Sequence, residues 1–134
     1  KIMLVYTDGG DTRSSLPWHE LLNLLKASDV TVYAIGMLEH QMQSTKQQQR
    51  MTIQQMAEVT GGQAFFPVSV KELDKAYEKV VAEIRAQYTI GFQSANEKTD
   101  GAWRKVEVKV ARKDLRVRSR RGYFAPYKKK PVGD

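Results

Sequence analysis

The residues in this chain whose types and spacing could do chemistry are Thr7, Asp8, Asp11 and Thr12, set in "TDGGDT" at the end of an apolar run. Two carboxylates, two hydroxyls and two glycines that let backbone come close are what a hard cation uses. Mg²⁺ takes oxygen ligands, keeps several waters and needs only one or two protein carboxylates. The same residues also read as a plain strand-to-helix turn, because Asp and Gly are favoured there for backbone reasons. Other chemistries lack their residues. His19 and His40 are the only histidines and there is no cysteine, too little for a zinc site. No serine sits in Gly-x-Ser-x-Gly, and the pairs Gly9, Gly10 and Gly61, Gly62 match no phosphate loop. The chain is therefore read as a binding protein and not as an enzyme.

A second candidate site is electrostatic. The net charge of +7 is concentrated in residues 104–130, which hold twelve Lys or Arg against only Glu107 and Asp114. Arg104, Lys105, Arg116, Arg118, Arg120 and Arg121, with Trp103, Tyr123 and Phe124 among them, could form a groove that tracks a polyanion and stacks its bases. They read equally as the solvated outer face of an antiparallel sheet, with cations guarding its edges. Sequence-specific nucleic-acid reading is the least expected outcome.

The elements that must position these residues follow from hydrophobic period and punctuation. The length of 134 residues, 41% of them hydrophobic, suits one domain with an appendage. No apolar run approaches the roughly 18 residues of a membrane span. "KIMLVYT" and "VTVYAIGML" (residues 30–38) are near-continuous apolar runs, predicting parallel strands buried on both faces. Between them "SSLPWHELLNLLKASD" predicts a helix of about three turns, capped at Ser14 or Ser15, with Pro17 in its first turn and Leu21, Leu24 and Leu25 on one face. Residues 39–50 are polar and Gln-rich and read as a loop. Thr52 and Gln55 form a capping box for a short helix that ends at "TGG", ahead of a third strand over residues 63–67. Ser69 and Glu72 form another box, opening a helix that runs to about residue 87. Beyond it the period changes to two. Residues 88–93 and 103–110 predict an antiparallel hairpin, the alternation continues over residues 115–124, and residues 128–134 read as a basic tail.

The order of these motifs resembles the von Willebrand factor type A domain. "KIMLVYTDGGDTRSS" is similar to that family's fourth-strand segment, whose Asp closes a metal-ion-dependent adhesion site. "VTVYAIGM" resembles its fifth strand, and "MAEVTGGQAFFPVSVKELDKAYEKVVAEIRAQY" its last helix, sixth strand and terminal helix. "QYTIGFQSAN", followed by "DGAWRKVEVKVARKDLRVRSRRGYF", is similar to an extension found in a bacterial branch usually labelled VWFA-related.

The resemblance implies an α/β, Rossmann-like parallel sheet with flanking helices. Residues 1–87 would be the C-terminal half of such a domain and residues 88–127 an antiparallel β extension. It implies a protein-interaction and adhesion module, extracytoplasmic (periplasmic or secreted), in which Mg²⁺ or Mn²⁺ holds an acidic group of a protein ligand. Asp8, framed by Thr7 and Gly9, is the one metal-site position carried over, with Asp11 and Thr7 as further candidate ligands. The family's Asp-x-Ser-x-Ser motif does not occur in this chain. The chain also begins without Met or a leader, so it is expected to be a piece lacking the first half of its metal site and to bind little metal alone. The strand over residues 1–7 would then be left with an open edge, a route to a homodimer.

Overall fold

In the computed structural model, residues 1–8, 10, 14–39 and 41–128 are described. Gly9, Asp11, Thr12, Arg13, His40 and the tail from residue 129 lie outside them. Eight elements follow in order: β1 (Ile2–Thr7), α1 (Trp18–Ala27), β2 (Thr31–Gly36), α2 (Gln43–Val59), β3 (Ala64–Phe65), α3 (Val70–Arg85), β4 (Trp103–Lys105) and β5 (Gly122–Phe124). The first three strands make a parallel sheet in the order β1-β2-β3, and β4 pairs antiparallel with β5. No described helix is long and apolar enough to cross a membrane.

β1 and β2 have the same apolar pattern and different fates. β2 has a neighbour on each side, and Val32, Tyr33, Ala34 and Ile35 are all buried in it. β1 is an edge strand, not the doubly buried strand its composition predicts. Ile2, Met3, Leu4 and Tyr6 each keep 40–53% of their surface exposed. Continuous hydrophobicity states that a strand can be buried and leaves open what buries it. Ala34, Leu38 and Ile53 form a core cluster, with Val5, Met56, Ala64 and Phe66 packed around it.

α2 corrects the expected loop at residues 39–50. Gln, Lys and Arg are good helix formers, and one helix runs from Gln43 to Val59, anchored by the buried Ile53 and Ala57. Thr52, expected as an N-cap, lies inside it, its hydroxyl donating to the Gln48 carbonyl at 3.1 Å. α1 starts at Trp18, later than the expected Ser14 or Ser15, because the proline ring disfavours helical backbone at Leu16. The Pro17 carbonyl accepts the first helical bond, from Leu21, and Leu24 is exposed.

Two local signals translate directly into structure. At α3 the Ser69 hydroxyl accepts from the Glu72 amide at 3.3 Å, and the Glu72 carboxylate accepts from the Val68 amide at 3.0 Å. At the end of α2 the Gly62 amide donates to the Ala57 carbonyl and the Gly61 amide to that of Glu58, with Gly61 at φ 81°. This is the glycine-terminated double bond that stops a helix. Thr60, 1% exposed, accepts from the Val32 amide and donates to the Ala57 carbonyl, both at 2.8 Å. Gly62 lies so close to β2 that a Cβ there would overlap the Val32 carbonyl. "TGG" thus stops α2 and locks it to the start of β2.

The later strands are shorter than the sequence pattern predicts. β3 is two residues long instead of five, although the Gln63 carbonyl still accepts from Ala34 at 3.0 Å. Residues 88–93 form no strand. β4 takes β5 as its partner, so Tyr88 and Ile90 stay 91% and 71% exposed. β4 stops at Lys105, short of the expected residue 110, with one further bond from the Val106 amide to the Arg121 carbonyl. Gly122 permits the close β4-β5 approach, since a Cβ there would overlap the Arg104 carbonyl and crowd Trp103.

Candidate functional site

The parallel sheet sorts the candidate residues to its two ends. At the carboxyl end the Thr7 carbonyl accepts from the Met37 amide at 2.8 Å, which closes the ladder, and Asp8 leaves the sheet exposed to solvent. Asp8 Oδ1 accepts from the Gly10 amide at 3.3 Å, and Gln41 Nε2 donates to the Asp8 carbonyl at 3.4 Å. Thr7 is half-buried at the strand terminus. Asp11 lies outside the described residues.

Sequence reasoning missed a crevice of about 90 Å³ beside this end, lined by Gly36, Leu38, Glu39, Lys46, Arg50 and Phe66 among others. Lys46 Nζ meets Glu39 Oε1 at 2.6 Å, and the Arg50 guanidinium lies 4.3 Å over the Phe66 ring. Lys46 and Arg50 stand four apart on α2. Extending the helical period upstream from Ile53 would have placed both on one face.

The described donors at this end are few. Among the described residues no group of three His, Cys, Asp or Glu gathers. Asp8 with Thr7 offers one carboxylate and one hydroxyl, and Glu39 is engaged by Lys46.

The cations of the second candidate site lie at the opposite end of the sheet, and most have partners there. Arg104 pairs with Asp100 at 2.7 Å. That bond, helped by the Ala102 amide, holds the Asp100 carboxyl below its ordinary range. Arg118 donates to Gln63 and pairs with Glu83 of α3. Arg120 donates to the carbonyls of Ser28 and Val30, in the turn between α1 and β2. Arg121 pairs with Glu58 of α2 at 3.0 Å. The Ser119–Arg120 backbone lies against Gly61, and Lys26 of α1 sits 5.7 Å over the Trp103 ring. Residues 118–121 therefore strap the extension across the amino ends of the strands. Lys105 and Arg116 are exposed and take no part in the strap.

With this geometry in hand, comparison with protein-family models, with curated proteins and with solved structures found no match.

Proposed function

We propose that the chain is part of a metal-ion-dependent protein-binding module of the von Willebrand A type, working outside the cytoplasm and without catalysis. Asp8 supplies one carboxylate, framed by Thr7, to a Mg²⁺ or Mn²⁺ whose remaining protein ligands come from polypeptide outside these 134 residues. An acidic group of a protein ligand completes the coordination. The reading rests on Asp8 leaving a parallel strand at the carboxyl end of the sheet, where ligands of open α/β sheets gather. The alternative, a polyanion groove over residues 103–124, gains no support, because a phosphate would compete with the carboxylates and carbonyls that already hold Arg104, Arg118, Arg120 and Arg121.

Calorimetry tests the proposal in two arms. Mg²⁺ titrated into the 134-residue chain is expected to bind more weakly than about millimolar, since one or two exposed carboxylates do not displace its hydration shell. A polypeptide that carries an Asp-x-Ser-x-Ser segment ahead of these residues is expected to bind Mg²⁺ tightly and to lose that binding in Asp8→Ala. Tight binding by the short chain that depends on Asp8, or tight binding by the long one that ignores it, defeats the assignment.

A further inference from the structure

The crevice at the carboxyl end of the sheet is walled by the end of β2 at Gly36, the turn after it with Glu39, the first turns of α2 with Lys46 and Arg50, and the turn after β3 from Phe66 to Val68. β2 stands between β1 and β3 in the strand order. Whatever pairs with β1 therefore lies on the far side of β2 from these walls.

Arg50 lies over Phe66, 4.3 Å from the ring centroid, and no hydrogen bond or ion pair engages its guanidinium among the described residues. The ring holds one face of the planar fork, and the N–H edge stays open to an acceptor. The ring is itself fixed, since a Cβ on Gly36 would stand 2.9 Å from it. Lys46 gives one of its three ammonium donors to Glu39 at 2.6 Å. α2 also departs from the usual helix start. It has no acidic residue in its first turn and no side-chain cap at Met42, so the partial positive charge of this helix end adds to the two cations.

We propose that this crevice takes the carboxylate of an acidic side chain from a protein partner, without a metal. The contact is additional to the one at Asp8 and stands whether or not a metal binds there. Charge selects a monoanion. Lys46 and Arg50 against Glu39 leave a single positive charge on the described walls, which one carboxylate neutralises and a phosphate dianion exceeds. The guanidinium fork meets a carboxylate through two parallel bonds. Size selects a side chain over a free small molecule. The crevice, at about 90 Å³, is far below the roughly 300–1,000 Å³ of pockets that enclose a whole ligand, and it suits a carboxylate on a short stem. Leu38, Phe66 and Val68 give that stem an apolar wall, and Val68 stays 57% exposed to meet the surface that presents it.

Nuclear magnetic resonance titration of the isotope-labelled chain tests this, in EDTA and at constant ionic strength, followed at the Arg50 Nε–H and the Phe66 and Val68 amides. The probe is N-acetyl-glutamate N-methylamide. It should shift these signals saturably with a dissociation constant of about 1–10 mM, about threefold or more tighter than acetate or inorganic phosphate. Arg50→Gln alters an exposed side chain and should weaken binding about tenfold or more. Glu39→Gln should act in the opposite direction, tightening binding about threefold, because it releases Lys46 and raises the local positive charge. Signals that do not shift saturably overturn the proposal. So does binding that ignores Arg50→Gln or weakens in Glu39→Gln, and so does acetate or phosphate binding as tightly as the capped glutamate.

Discussion

Gly62→Ala is expected to cost about 3 kcal/mol, the upper range of overpacking effects and a large fraction of a small domain's stability. The added methyl would overlap the carbonyl oxygen of Val32, which is fully buried. Neither side can give way. Val32 lies in the central strand with its amide bonded to Thr60, and Gly62 is held by its own bond to Ala57. Gly91→Ala is the matched control, because a Cβ there meets nothing within 4 Å. It should lie within about 0.5 kcal/mol of the parent. Urea midpoints compare the two, and equal midpoints would mean that α2 and β2 are not locked by this contact.

Arg120→Ala carries the second large effect. Hydrogen bonds from a charged donor contribute about 1.5–3 kcal/mol each, and one half-buried guanidinium here serves two carbonyls, those of Ser28 and Val30. The loss should fall on the extension first. Residues 104–121 hold nine Lys or Arg, so trypsin reports their release, and cleavage there should rise at least tenfold while α3 stays resistant. Both bonds leave the one nitrogen Nη2, which lies a bond farther along the side chain than a lysine ammonium, so Arg120→Lys should rescue it only in part. Arg121→Ala breaks an exposed pair with Glu58 and should matter little, by about 0–1 kcal/mol. Unchanged cleavage in Arg120→Ala would show the strap to be idle.

What could be read from the sequence depended on how far a signal reaches. The box at Ser69 and Glu72 and the stop at Gly61 and Gly62 act over three to five residues, so their residue types define them. The parallel order of the three strands was also legible, from apolar runs alternating with amphipathic stretches. Burial of β1 was not, because "IMLVY" and "TVYAI" carry the same pattern and only the neighbours differ. The start of α2 was hidden because its first turns are polar all round. The strand expected at residues 88–93 has the right alternation and no partner, since β5 holds β4 instead. At the candidate sites, Asp8 was found from its place after an apolar strand. The cations were found as well, but apart from Asp100 beside Arg104 their partners stand 35 to 92 residues away in the chain, beyond any local pattern.

That same separation sets an order in time. β1, α1 and β2 are consecutive in the chain, and α2 and β3 follow without interruption, so their contacts close short loops. The Arg120 bonds to Ser28 and Val30 close loops of 92 and 90 residues and form only when the turn that presents both carbonyls already exists. Interactions absent from the folding transition state slow unfolding and leave folding speed unchanged. The strap is thus a brake on the way out of the native state. Removing it shortens the lifetime of the folded chain without delaying its assembly.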